Sequence, residues 1–236
     1  MDIVIAAAGK GTRLKEYTTD IPKHIIAVAG KPFIYYLLDA VVEAGYRRIF
    51  VVGGYHIDKL KKCLLEYTTE AEIILVDQIQ LLGEQCYGTT CPVLAVKDKI
   101  QGDRFVYTMG DQLLSVADLQ AMQQSTADTL VAVTEHNNPE RYGVIEYKSD
   151  HTLSRIIEKP SHPISHDINV GLYTLTKDIF PLLDKTASSN RGESELTDVI
   201  NTLARDHTVR VVNLQQPWLD LGRPEDITAL ERYLKP

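Results

Sequence analysis

Cysteine is scarce in this chain: Cys63, Cys86 and Cys91 are the only three in 236 residues. The set is odd and contains no paired C-x-x-C spacing. It argues against a zinc or disulfide framework and for reduced thiols in a cytosolic protein. A run of about 18 consecutive apolar residues is also missing, so no membrane span is expected. The start Met1-Asp2-Ile3 has no basic region ahead of an apolar stretch and does not read as a signal peptide. Positive charge is in deficit, with 25 Lys+Arg against 32 Asp+Glu and a net charge of −7. No overall basic field is therefore available to hold nucleic acid. An anion can still be bound, but only locally, by backbone N–H groups, a few cations or a metal.

Hydrophobic residues make up 44% of the chain, enough for one sizeable core. A single domain over 1–236 is expected, with halves 1–126 and 127–236 of different texture. In the first half, β-type runs alternate with helix-period segments. Asp2–Ala7, Ile49–Val52, Ile73–Val76 and Phe105–Thr108 read as strands. The residues from Pro32 to Ala44, those carrying Ile57, Leu60 and Leu64, Cys91–Val96 and Val116–Met122 read as helices. In the second half, Leu130–Thr134, Gly143–Tyr147, Leu153–Ile157 and Val170–Leu175 are strands with little helix between them. A helix bearing Leu196, Val199, Ile200 and Leu203 follows, then the strand Val209–Leu214 and a closing helix from about Pro224. This alternation predicts an α/β fold built on βαβ units and a mostly parallel sheet.

The stretch after the first strand, AAAGKGTRLKEYTTDIPK, has the composition of a phosphate site. It is not a P-loop, because Gly9-Lys10-Gly11-Thr12 is too short for G-x-x-x-x-G-K-[ST]. It is not a dinucleotide fingerprint either, since Leu14 stands where a third glycine is needed. What remains is a glycine-lined turn able to wrap a triphosphate in N–H groups, with Arg13 and Lys23 reaching in. On the glycines alone, a plain strand–helix turn with solvated cations explains the stretch equally well.

The rest of the line shifts that balance. Gly9-Lys10-Gly11-Thr12-Arg13-Leu14, Thr18, Pro22-Lys23 and Gly30-Lys31-Pro32 together resemble the signature of the sugar-1-phosphate nucleotidylyltransferases. Further matches follow in order: Gly88-Thr89, Gly110-Asp111, Tyr142-Gly143-Val144-Ile145-Glu146, Glu158-Lys159-Pro160, Asn169-Val170-Gly171-x-Tyr173 and Trp218-Leu219-Asp220-x-Gly222. Arg191-Gly192-Glu193-x-Glu195-x-Thr197-Asp198 resembles the glucose-1-phosphate thymidylyltransferases in particular. Glu16 and Ala27 stand where the family usually has proline, and the loop from Gln78 to Tyr87 is longer than usual.

The resemblance implies a Rossmann-like three-layer α/β/α fold of the nucleotide-diphospho-sugar transferase type. It implies a Mg²⁺-dependent reaction of a nucleoside triphosphate with a hexose 1-phosphate, giving a nucleotide sugar and pyrophosphate. dTTP or UTP with glucose 1-phosphate is the favoured pair, and GTP with mannose 1-phosphate the alternative. Ala7, Ala8, Gly9, Lys10, Gly11, Thr12, Arg13, Gln85, Gly88 and Thr89 are the implied nucleotide contacts. Arg13, Lys23 and Asp111 are the implied catalytic residues, with Asp111 and Asp220 as metal ligands. Gly143, Glu158, Lys159, Asn169, Val170 and Arg191 would bind the sugar phosphate. Taken alone, each Asp reads as a turn or capping residue, and Glu158-Lys159 as an exposed pair. Homo-oligomers are common in the family and are expected on that basis. A non-catalytic nucleotide-sugar sensor would have lost one of these charges, and none is missing. A dinucleotide-dependent oxidoreductase is disfavoured by the absent glycine. His162-Pro-Ile-Ser-His166 reads as a surface loop, and Trp218 as a core residue beneath Asp220.

Overall fold

Residues 1–184 and 194–234 are described by a computed structural model of the chain. Nine strands share one sheet. In chain order they are β1 (Asp2–Ala7), β2 (Arg48–Gly53), β3 (Glu72–Asp77), β4 (Arg104–Met109) and β5 (Thr129–Glu135). After them come β6 (Gly143–Tyr147), β7 (Leu153–Glu158), β8 (Asp167–Thr176) and β9 (Val209–Asn213). The strands run β7-β6-β8-β4-β1-β2-β3 across the sheet, with β5 also paired to β8 and β9 paired to β5. β1 lies parallel between β2 and β4, and β3 continues parallel beyond β2. β8 is antiparallel to β4, β5 and β6, which makes the sheet mixed. The change comes where the helical crossovers of the first half give way to hairpin-type connections, which reverse strand direction.

β1 shows why both faces must be covered. Ile3, Ile5 and Ala7 point into one apolar cluster, and Val4 and Ala6 into another. A strand buried on both sides reads as a continuous hydrophobic run, as this one does. The first face is covered by α1 (Phe33–Glu43), α2 (Ile57–Glu66) and α5 (Val116–Gln124), through Leu37, Leu60 and Leu119 among others. The second is covered by α4 (Cys91–Ala95, which follows the short α3, Gln78–Leu82), α6 (Phe180–Leu183) and α7 (Leu196–Asp206). A last helix, α8 (Pro224–Leu234), packs Leu230 with Leu14, Phe33 and Leu221 in a third cluster. The result is the expected three-layer arrangement, in which the carboxyl ends of β1, β2 and β4 open onto one edge. In such sheets, ligands lie beyond those ends.

The cysteines depart from expectation. Cys86 and Cys91 are joined in a disulfide, and only Cys63 is free and buried. The spacing of two cysteines around a tight turn is uninformative in sequence, because the turn's geometry decides whether the sulfurs meet. The inference of a cytosolic chain loses that footing. Among the described residues, no helix is long and apolar enough to cross a membrane.

Leu37 is fully buried in α1 against the sheet. Leu37→Ala should lower unfolding free energy by about 2–5 kcal/mol, the usual cost of a large-to-small core truncation. Urea denaturation followed by circular dichroism measures it.

Candidate active site

The loop after β1 sits where the sequence places it. Gly11 adopts φ 64°, and a Cβ there would approach Thr18 Cγ2 to 2.9 Å and Lys23 Cβ to 3.2 Å. Only glycine takes that left-handed turn without strain while packed so closely. The Thr18 hydroxyl donates to the Gly11 carbonyl at 3.1 Å and so closes the loop on itself. The N–H groups of Gly9, Lys10, Gly11 and Thr12 meet no protein acceptor among the described residues. Ala7 is buried at the strand end, Ala8 is half-buried, and Gly9, Lys10, Thr12 and Arg13 are exposed. Free N–H groups at the edge of a turn, with cations close by, form an anion-binding concavity.

Asp111 follows β4, where the Gly110 N–H donates to the Ala6 carbonyl of β1 at 2.9 Å. Asp220 arrives by a different route. A two-residue ribbon pairs Gln112–Leu113 with Leu219–Asp220, and in its register Asp220 lies opposite Gln112. The Leu221 N–H donates to the Asp111 carbonyl at 2.7 Å and extends the contact. Two carboxylates distant in sequence are thus held together.

Their charges are not balanced. Lys23 forms an ion pair and hydrogen bond with Asp111, both side chains being mostly buried. Burial pushes the Asp111 carboxyl up, but the Lys23 ammonium beside it outweighs that, and its pKa lies below the usual range. Burial raises Asp220 to about 6, and the neighbouring Asp111 and Asp226 carboxylates push the same way. Lys23 and Arg13 oppose that rise without cancelling it. Burial, and then the Lys23 ammonium, hold His24 down at about 3, so this buried ring is neutral.

Between these carboxylates and the second half of the sheet lies a cleft of about 240 Å³. Arg13, Thr89, Asp111 and Asp220 line it. Gly143, Glu158 and Lys159 lie in the same cleft, as do Asn169 and Val170. Lys159 has φ 46°, a left-handed conformation that costs a lysine energy. Its N–H donates to the Tyr142 carbonyl at 2.9 Å, which pins that geometry. Asn169 is fixed at both ends of its amide. It donates to the Tyr173 hydroxyl at 2.5 Å and accepts from the Gly171 N–H at 3.1 Å.

Other expected residues are not brought to the cleft wall. Lys23 and Gly88 stand behind it, the first through Asp111 and the second through Thr89. Gln85 is turned away, with its amide donating to the Leu82 carbonyl of its own loop at 2.9 Å. Gln78 is the buried glutamine of that loop and donates to the Cys86 carbonyl at 3.2 Å. Arg191 lies outside the described residues. Trp218 packs against the first apolar cluster, as expected, and also forms part of the cleft wall. Its indole N–H donates to Gln112 Oε1 at 2.6 Å, and its ring meets Tyr142 edge-on at 5.5 Å. Sequence reading missed Arg141 and Gln112, which also line the cleft. Each adjoins a recognised motif, Arg141 before Tyr142 and Gln112 after Asp111, and adjacency was the only available signal.

The family model described as Nucleotidyl transferase matches residues 3–235. The chain belongs to that family. Enzymes of this family generally depend on a divalent metal. Among curated relatives, the UTP–glucose-1-phosphate uridylyltransferase AglF of Haloferax volcanii is 32% identical over 241 residues, covering 100% of this chain and 97% of its own length. The bifunctional protein GlmU of Methanocaldococcus jannaschii is 34% identical over 234 residues, 99% of this chain and 54% of its own. A bifunctional sugar-1-phosphate nucleotidylyltransferase/acetyltransferase of Sulfurisphaera tokodaii is 33% identical over 243 residues, 99% of this chain and 55% of its own. The chain therefore spans about half the length of these two bifunctional relatives. A UDP-glucose pyrophosphorylase solved with UDP-glucose superposes with a TM-score of 0.86 at 23% identity, over 98% of this chain and 97% of that one. At that identity the likeness establishes the fold.

The raised Asp220 carries a pH signature. A carboxyl whose folded pKa of about 6 lies above its unfolded value of about 3.9 loses stability for the fold as pH climbs between those values. Without divalent metal, Asp220→Asn should therefore raise the melting temperature above pH 6, with the gain gone by pH 4. Thermal melts in chelator across that range give the answer.

Proposed function

We propose that the chain is a nucleotidylyltransferase that joins a nucleoside triphosphate to a hexose 1-phosphate, with release of pyrophosphate. One observation carries this reading. Asp111, paired with Lys23, and Asp220 line one cleft together with Arg13, Glu158, Lys159 and Asn169, and the glycine turn with its free N–H groups packs against Lys23. A triphosphate and a sugar phosphate would meet over Asp111. UTP and glucose 1-phosphate are the favoured pair. The resemblance already favours a uridylyl or thymidylyl donor, and AglF, which this chain matches over nearly its full length, carries that activity in its name.

Joining two polyanions is an electrostatic problem, so catalysis rests on positioning and charge neutralisation. A phosphate oxygen of the sugar phosphate attacks the α-phosphorus in line. The bond from the α-phosphorus to the bridging β-oxygen breaks, and pyrophosphate leaves. Arg13 offers a planar five-donor fork to the β- and γ-phosphates. Lys23 exchanges its hold on Asp111 for the α-phosphate. Lys159 holds the sugar's phosphate. Glu158 accepts hydrogen bonds from sugar hydroxyls, Gly143 lets a hydroxyl approach the backbone, and Asn169 and Val170 line the pocket.

Burial first, and then the Asp111 and Asp226 carboxylates, raise Asp220, and a cation bound beside it would offset both. Asp111 and Asp220 suit Mg²⁺, which takes one or two carboxylates and completes its shell with phosphate oxygens and water. When bound there, it would supply charge stabilisation to the reacting phosphates.

Pyrophosphate release should be measured across ATP, CTP, GTP, UTP and dTTP against glucose, mannose, galactose and N-acetylglucosamine 1-phosphates, with Mg²⁺. Release is expected to be fastest with UTP and glucose 1-phosphate and to vanish in Asp111→Asn. Arg13→Ala should lose about 10²–10³ in rate, the usual effect of removing one donor to developing charge. Fastest turnover with GTP and mannose 1-phosphate would overturn the substrate choice. Nucleotide binding without release from any pair would overturn the reaction.

A further inference from the structure

The disulfide Cys86–Cys91 closes the turn that carries Gly88 and Thr89, and that turn is fastened to the start of α7. Gly88 has φ +125°, and a Cβ there would fall 2.3 Å from the Ser194 carbonyl oxygen and 2.6 Å from its nitrogen. Backbone is therefore laid directly on backbone. The Ser194 N–H donates to the Tyr87 carbonyl at 3.0 Å. In return, the Thr90 N–H donates to the Ser194 carbonyl at 3.1 Å and the Thr90 hydroxyl to the same atom at 3.2 Å. The Leu196 N–H donates to Thr89 Oγ1 at 2.7 Å, and the Tyr107 hydroxyl to the Thr89 carbonyl at 3.2 Å. On its outer side the turn is held by the Gln78 amide, which donates to the Cys86 carbonyl at 3.2 Å.

The consequence lies in the cleft. Thr89, Glu195, Leu196 and Thr197 are all wall residues, supplied by the turn and by the segment it holds. The disulfide joins the two ends of the turn, so it limits the shapes open to the turn from which Thr89 and Thr90 hold that segment by hydrogen bonds. Cys91 is fully buried at the start of α4, whereas Cys86 is partly exposed and sits beside the exposed Tyr87. Cys86 is therefore the less buried partner and the one an incoming thiolate meets first.

We infer that the Cys86–Cys91 pair is a thiol–disulfide switch on the nucleotidylyltransferase cleft, with the bonded form holding the wall in its competent geometry. The inference rests on the proposed function for what the cleft binds. A dithiol supplies the reducing equivalents. Its thiolate attacks Cys86 Sγ, the Cys86–Cys91 bond breaks and Cys91 leaves as the thiolate, which takes up a proton. The dithiol's second thiol, as thiolate, then displaces Cys86 from the mixed disulfide, giving two protein thiols and one oxidised dithiol. A small-molecule disulfide reverses the sequence.

The test uses the full chain, purified without reductant, then treated with dithiothreitol and afterwards with oxidised glutathione. Thiol titration in denaturant should read one group before reduction and three after. Reduction should raise KM for UTP about tenfold, roughly one hydrogen bond's worth of preorganised contact, and reoxidation should restore it. Amide exchange at Thr90 and Leu196 should quicken on reduction, whether or not the chain turns over any substrate. Cys86→Ser should behave as the reduced chain and ignore dithiothreitol. Three thiols before reduction, or unchanged KM and amide exchange after a confirmed rise to three, would overturn the switch. Faster exchange in a chain with no transferase activity would leave the switch standing and remove the proposed function instead.

Discussion

Everything proposed for this cleft depends on a four-residue pairing. Gln112–Leu113 and Leu219–Asp220 form a short antiparallel ribbon, and the ribbon sets Asp220 beside Asp111. Without it, Asp111 would be a strand-end carboxylate neutralised by Lys23, an arrangement with no charge left to offer. With it, the site holds a second carboxylate, raised first by burial and then by Asp111 and Asp226, against which Lys23 and Arg13 only partly work. Buried like charges are costly and persist only where surrounding structure holds them. Here the holding structure is substantial. The Leu221 N–H is tied to the Asp111 carbonyl, Trp218 is tied through Gln112, and Leu219 and Leu221 belong to the cluster under α8.

The sheet determines what that pair faces. β1 lies between two parallel neighbours, so its carboxyl end, that of β2 and that of β4 emerge on one edge. The glycine turn grows from the first of these ends and Asp111 from the third. β8 then turns antiparallel against β4 and delivers Asn169 and Val170 to the same cleft. A parallel half that presents phosphate-binding groups is thus joined, within one sheet, to a mixed half whose antiparallel strands present polar side chains.

Much of this was legible in the sequence because it lies at strand ends with strong local signals. Ile3-Val4-Ile5 is a strand by composition, and the following glycines could only be a turn. Gly143–Tyr147 was read with the very bounds it has. Less was legible wherever a position depends on contacts distant along the chain. The two-residue ribbon is too short for any periodicity, so nothing local shows that Trp218, packed on the core, also walls the cleft and reaches Gln112 with its indole N–H. Gln85, an implied nucleotide contact, folds back on its own loop, and nothing local distinguishes it from Gln78. The cysteines failed for the same reason, since whether Cys86 meets Cys91 is decided by a turn built around the positive φ of Gly88 and its seat on Ser194.

The paired carboxylates are most directly tested by Mn²⁺ binding, read from the paramagnetic resonance of the free ion, with and without UTP. The account predicts that tight binding requires the triphosphate and is lost in both Asp111→Asn and Asp220→Asn. Equal Mn²⁺ affinity in the wild-type chain and either variant would contradict it.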